Sequence, residues 1–183
     1  MKLITETPRL IVREWTLDDA PARFEIFRHA EVVRFLGGTP KPMESVTEAV
    51  AHLERITNRY VEQGFSLYAV ESKEPGDVRV IGQCGLAIVP DAMRPDPSAT
   101  QEIEIAYHYH PSAWGKGYGL EAATAVLEYA HETLGMKRVI GLVVPENVAS
   151  DKILSKVMTR CLGKARYYNL DVNLYESKKY CLA

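Results

Sequence analysis

The spacing of apolar positions changes partway along the chain. Over 44–64, Val46, Val50, Leu53, Ile56 and Tyr60 recur at steps of three and four, which predicts an amphipathic helix that Gly64 can end. From 65 the step becomes two. Segments 65–72 and 78–89 read as strands joined by the turn "KEPGD" at 73–77, a hairpin. "QEIEIAYHYH" (101–110) alternates strictly and predicts another strand. Upstream, 9–16 mixes β-branched and aromatic residues like a first strand. Segment 17–36 reads as one helix, with Thr16 as N-cap and acidic residues in its first turn, broken by "GGTPKP" at 37–42. Downstream, the pattern predicts a helix over 119–135 that stops at Gly135, a strand over 137–147, a helix over 148–158 opened by Asn147, and final strands at 164–170 and 173–182. The loop 90–100 carries three prolines. There is no repeat and no low-complexity segment. The expected fold is a single domain over 1–183 of mixed α/β class, with an antiparallel half and one crossover, too poor in helices for a doubly wound sheet.

Composition narrows the partners. The chain has 183 residues, 46% apolar and 25% charged, with a formal charge of −2. Its pI is near 6.2. Lys and Arg are scattered without a basic run, so neither nucleic acid nor an anionic membrane is an expected partner. "MKLITETPRL" meets Thr5 and Glu6 before any apolar core could form, unlike a signal peptide, and the longest apolar stretch, 139–144, is too short to cross a bilayer. The three cysteines, Cys84, Cys161 and Cys181, lack a CxxC spacing. They predict neither a disulfide framework nor a zinc site, and they read as buried small hydrophobes in a cytoplasmic protein without a metal. His29, His52 and His131 show no ligand spacing, and Trp15, Tyr167 and Tyr168 read as core or rim.

One stretch asks for a ligand. "WGKGYGLEAA" (114–123) sets Gly115, Gly117 and Gly119 directly ahead of a helix. Bare backbone at a helix N-terminus presents free N–H groups and positive potential, which suits a phosphate; the bland alternative is a flexible turn. A P-loop is excluded because Gly115-Lys116 is followed by Gly117 rather than Ser or Thr. Residues 117–122 do match GxGxxA, the dinucleotide fingerprint. However, "PSAWGK" intervenes after the strand, and that strand alternates Glu and Ile instead of forming a buried parallel run.

"EIAYHYHPSAWGKGYGLEAA" and "KRVIGLVVPENVASDKILSK" resemble the acetyl-CoA-binding half of the GNAT acetyltransferase superfamily, nearest the RimJ/RimL branch. "TPRLIVREWTLDDA" and "AEVVRFLGG" extend the resemblance over nearly the whole chain. The superfamily motif (Q/R)xxGx(G/A) becomes Trp114-Gly115-Lys116-Gly117-Tyr118-Gly119 here. The resemblance implies a mostly antiparallel central sheet with a splayed parallel strand pair. Acetyl-CoA is then the acetyl donor, its pantetheine bonded to the backbone of His108 and Tyr109 and its pyrophosphate on the amides of 115–119, with Lys116 adding charge. Asn147 is either an N-cap alone or also a contact to the pantetheine arm. The implied reaction is direct attack by a primary amine in a ternary complex.

That chemistry needs a neutral amine, a stabiliser for the thioester oxygen and relief for the departing thiolate. Period two places Glu102, Glu104, Ala106, His108 and His110 on one strand face. Glu104, at the family's acidic position, is the expected base through a water, with His108 its rival; the two glutamates are otherwise a solvated face. The resemblance assigns the oxygen to the backbone N–H of Tyr109. Where many members carry a tyrosine this chain has Leu154, and Ser150, one turn earlier, is expected to hydrogen-bond the sulfur. Met158-Thr159 replaces a Gly-hydrophobic pair, at about 1 kcal/mol if a left-handed conformation is kept. The acceptor is left open between a protein N-terminal α-amine, as on ribosomal proteins, and a small amine such as a polyamine, an amino acid or an aminoglycoside. No dense acidic run marks a groove for polycations. A non-catalytic acetyl-CoA sensor is the alternative from another class, and a dinucleotide-binding protein a lesser one.

Overall fold

A computed structural model describes residues 1–37, 41–76 and 79–179. The chain runs β1 (Leu3–Glu6), β2 (Leu10–Arg13), α1 (Ala20–Phe27), α2 (Ala30–Val33), α3 (Val46–Gln63), β3 (Leu67–Ser72), β4 (Val80–Ile88), β5 (Ile103–Tyr109), α4 (Tyr118–Glu132), β6 (Arg138–Val143), α5 (Val148–Val157), β7 (Arg160–Tyr167) and β8 (Leu170–Lys178). The strands form one sheet in the order β1-β2-β3-β4-β5-β6-β8-β7. Among the described residues only β5 and β6 pair in parallel, and the mixed, mostly antiparallel class is as expected.

Two helical layers cover the sheet. On one face Leu10, Val12, Tyr68, Val70, Leu86 and Ile105 pack under α4. That helix turns Ala122, Ala123 and Ala130 inward, small side chains that let it lie close. On the other face Trp15, Ile26, Phe27, Leu53, Ile56 and Ala69 form a second core with α1 and α3. α3 is the helix its spacing predicts. Ser45 caps it by accepting from Glu48 N (3.2 Å), and Gly64 ends it in the left-handed conformation (φ 79°).

Several expectations are corrected. Segment 17–36 is not one helix: a 3-10 turn at Leu17–Asp19 leads into α1, and His29 is extended (φ −83°, ψ 121°) before α2. The Phe27 carbonyl accepts from Met43 N (2.9 Å), so the returning chain takes the group that would have continued the helix. β1 was not anticipated; it is a short edge strand, and Thr7 closes its turn by accepting from Leu10 N (2.9 Å). The last strands form a hairpin turning at Tyr168 and Asn169, both at positive φ (51° and 61°), where sequence pattern placed strand 164–170. α5 ends with Met158 extended (φ −88°, ψ 148°) and Thr159 N donating to Glu176 O (2.9 Å). No left-handed residue is retained there, so the expected cost does not arise. Cys84 is buried, but Cys161 is exposed on the edge strand β7, against expectation. Cys181 and parts of the 37–42 and 73–77 turns lie outside the described residues.

β5 keeps its whole length against β4, from Ile88 opposite Ile103 to Gly82 opposite Tyr109, but meets β6 only where Glu104 faces Ile140. Beyond that point β5 and β6 splay. Bonds from Val89 N to Glu102 O and from His110 N to Ile81 O (both 2.9 Å) set the alternation: even-numbered residues of β5 bond to β4. The main-chain groups of Tyr107 and Tyr109 therefore face the gap.

Candidate active site

The glycine stretch separates into two uses. Gly115 (φ 74°) and Gly117 (φ 82°) hold left-handed backbone, and a Cβ on Gly115 would meet nothing within 4 Å. Conformation, rather than crowding, requires glycine at 115. Gly119 is the opposite: its Cβ would lie 2.9 Å from Ile153 Cδ1 and 3.4 Å from the Tyr109 ring, so it lets α4 approach α5 and β5. Residues 114–117 are exposed ahead of the first turn of α4, with Gly117 as its N-cap. The amides of Gly115, Lys116 and Gly117 have no partner among the described residues, as a phosphate site requires. The Lys116 side chain lies exposed beside them.

Arg9, which sequence pattern did not single out, straps this turn. It donates to Lys116 O (3.0 Å) and to Glu121 (2.7 Å), which also accepts from Thr7 Oγ1 (2.6 Å). The Arg9 guanidinium lies 4.8 Å from the centre of the Tyr118 ring, whose hydroxyl bonds Glu74. Trp114 Nε1 donates to Tyr109 O (2.9 Å), tying the turn to the end of β5.

Across the gap, the Tyr107 hydroxyl lies 2.9 Å from Ser150 Oγ. Asn147 Oδ1 accepts from Ser150 N (3.2 Å), so Asn147 is the N-cap of α5. Tyr107 is a second residue that pattern reading missed, because an apolar-face tyrosine on an alternating strand looks like core. Leu154 is fully packed, its Cδ2 2.8 Å from where a Gly141 Cβ would stand.

Glu104 and Glu102 part company despite sharing a face. Glu102 accepts from Arg138 Nη1 (2.7 Å) and the Tyr167 hydroxyl (2.6 Å), a structural ion pair. Glu104 has no cation partner among the described residues. Burial pushes its carboxyl up to about 7, against the opposing hydrogen bond from the Tyr168 hydroxyl (2.5 Å). His110 contacts Ser112 Oγ (2.7 Å) and the edge of His29.

His108 corrects an expectation. Its main chain is paired with β4, and its carbonyl oxygen would stand 2.5 Å from a Gly82 Cβ, so it does not face the gap. Its imidazole turns toward α1–α3 and lines a cavity of about 210 Å³ with Arg23, Phe27, Met43, Leu67 and Gln83. Burial, with the nearby Arg23 charge, lowers it to about 4. Arg23 Nη1 donates to Gln83 Oε1 (2.6 Å), and Gln83 Nε2 lies 3.1 Å from His108 Nδ1. A guanidinium cannot accept, so the Gln83 oxygen faces Arg23 and its amide N–H donates to Nδ1. That leaves the imidazole proton on Nε2.

A chain with its glycine turn and splayed strands so arranged has many counterparts. The acetyltransferase (GNAT) domain model matches residues 9–158. The uncharacterized N-acetyltransferase YoaA of Bacillus subtilis (strain 168) is 29% identical over 182 residues, spanning 96% of this chain and 97% of the relative. The uncharacterized protein YkkB of the same organism is 30% identical over 180 residues, spanning 98% and 96%. Among solved structures, RimL, a ribosomal L7/L12 alpha-N-protein acetyltransferase in complex with coenzyme A, superposes with a TM-score of 0.74 at 18% identity, over 97% of this chain and 98% of that one. No helix among the described residues is long and apolar enough to cross a membrane. The chain belongs to the GNAT acetyltransferase family and is an N-acetyltransferase.

Proposed function

We propose that the protein transfers the acetyl group of acetyl-coenzyme A to a primary amine by direct attack in a ternary complex, as in the RimJ/RimL branch. One observation carries this reading: the main chain of Tyr107 and Tyr109 faces a gap whose neighbouring turn presents open amides at 115–117. The residues fit the donor. A diphosphate suits the amides of 115–119 at the N-terminus of α4, with Lys116 beside them, and an extended pantetheine arm suits the unpaired edge of β5.

The chain's own groups then divide the work. Glu104, near 7 and without a cation partner among the described residues, accepts a proton from the acceptor's ammonium through a water, leaving the neutral amine nitrogen free to attack the thioester carbon. His108 is a poor rival, with Nδ1 already accepting from Gln83 and the other nitrogen protonated. The Tyr109 N–H stabilises negative charge developing on the thioester oxygen. As the C–N bond forms and the C–S bond breaks, the sulfur leaves as a thiolate hydrogen-bonded by Ser150, itself paired with Tyr107. The second proton shed by the nitrogen passes to that thiolate, directly or through solvent, to give amide and thiol. Neither hydroxyl is a strong acid, and burial raises the Tyr107 phenol further, so hydrogen bonding rather than full proton donation is the role. Cysteines without a pairing motif and an even charge spread support a cytoplasmic setting.

The test is thiol release from acetyl-CoA with N-terminal peptides, lysine peptides and small amines in parallel. Release that depends on an amine supports the reading. Tight coenzyme binding with no amine-dependent release overturns it in favour of a sensor.

A further inference from the structure

Two buried arginines in this chain are treated differently. Arg13 lies between Asp19 and Glu71, with bonds of 2.6 to 2.8 Å to both carboxylates. Arg23, only 4% exposed, has no carboxylate partner among the described residues. Its one hydrogen bond there is to the neutral Gln83, and its buried Nε has no partner. Phe27 (4.5 Å) and Trp15 (5.6 Å) cover its faces, which leaves the edge N–H groups as its unmet directions. Arg23 itself lines the cavity that His108 closes. Burial and the neighbouring Arg55 both press against its charge. A protein keeps a buried, uncompensated cation only at a cost that a bound anion removes.

We propose that this cavity is the acceptor pocket and that Arg23 binds the carboxylate of the acceptor, a free amino acid with an apolar side chain. The claim rests on the acetyl-transfer reading above. Phe27, Val33, Leu36, Met43 and Leu67 supply an apolar wall, and about 210 Å³ is room for a single amino acid. Lys41 and His52 add basic or neutral lining, and Glu48 is the one acidic lining residue, half-exposed at the start of α3. His108 lies on the same strand face as Glu104, with the small Ala106 between them. An amine next to a carboxylate on Arg23 thus enters on the side of β5 that carries the base, four residues away along the strand.

The test compares leucine with leucinamide, and phenylalanine with phenylalaninamide, by thiol release and by thermal shift in the presence of coenzyme A. An amino-acid amide carries the less basic amine, so more of it is neutral near pH 7.5 and amine basicity works against the acid. We expect kcat/KM for the acid to exceed that for the amide at least tenfold. Arg23→Gln collapses that ratio toward one, and Arg23→Lys keeps part of it. Melting curves of both variants check folding. Amides or peptides that serve as well as the acids overturn the proposal, as does an acid preference that survives in Arg23→Gln or leucine that fails to raise the melting temperature. Leucine, but not leucinamide, stabilising the wild type without any thiol release instead keeps the pocket and sinks the transfer reading.

Discussion

Glu104 shows how much a single partner decides. It sits on the same strand face as Glu102, and period two cannot tell them apart, yet Arg138 neutralises one and no cation among the described residues pairs with the other. A carboxyl near 7 balances proton affinity against availability at neutral pH. Glu104→Gln is expected to lower kcat by about a hundredfold or more and to leave coenzyme affinity nearly unchanged in calorimetry. The same residue sets a stability profile. Its folded carboxyl holds a proton more tightly than the unfolded one at 4.5, so its favourable contribution is complete below 4.5 and lost as pH rises through about 7. Glu104→Gln is therefore expected to melt higher than wild type at pH 8, with the difference vanishing near pH 4.5. Tyr168→Phe removes the donor that favours the anion, so the acidic limb of the pH–rate curve should move to higher pH. Sequence pattern carried the strand and the acidic position. It could not carry Tyr168, which arrives from the far end of the chain.

At the scale of elements, the glycine turn and the splayed strands depend on backbone geometry. Gly117→Ala forces a side chain into left-handed backbone at about 1–2 kcal/mol. The melting temperature should fall by roughly 2–8 °C, at about 2–4 °C per kcal/mol, with weaker coenzyme binding. Gly119→Ala meets a flexible Ile153 methyl instead, and Ile153→Val should recover most of its loss; a loss untouched by the second change would assign Gly119 to the ligand. Tyr107 and Ser150 bridge β5 and α5, so Tyr107→Phe and Ser150→Ala should slow turnover by less than their separate effects multiplied. These elements were legible because each has a local period or a glycine signature. The α1–α2 break and the Tyr168-Asn169 turn were not, because a bond from Met43 stops the helix and non-glycine residues occupy the left-handed turn.

For the molecule as a whole, the site is assembled across the sheet. The proposed donor gap lies between β5 and β6, and the Arg23 cavity lies on the face of α1 and α3, with β5 common to both. Ligand that binds only the folded form stabilises it by mass action. Acetyl-CoA at a hundredfold excess over its Kd should add about 2.7 kcal/mol, a rise of roughly 5–11 °C in a thermal-shift scan, and NAD should add none. A shift with NAD and none with acetyl-CoA would restore the dinucleotide reading.

The helix α3 with its stop at Gly64, the glycine turn ahead of α4, the alternation of β5 and the N-cap at Asn147 follow from the sequence by itself, because each depends on residues a few positions apart. The pairing of Glu104 with Tyr168, the strap from Arg9 to Lys116, the capture of the His108 backbone by β4 and the isolation of Arg23 depend on segments distant in the chain. Local pattern sets which residues can face one another. Which of them end up charged, neutral or unpartnered is decided by desolvation and by the neighbours the closed sheet brings, and those quantities exist only once the chain has folded.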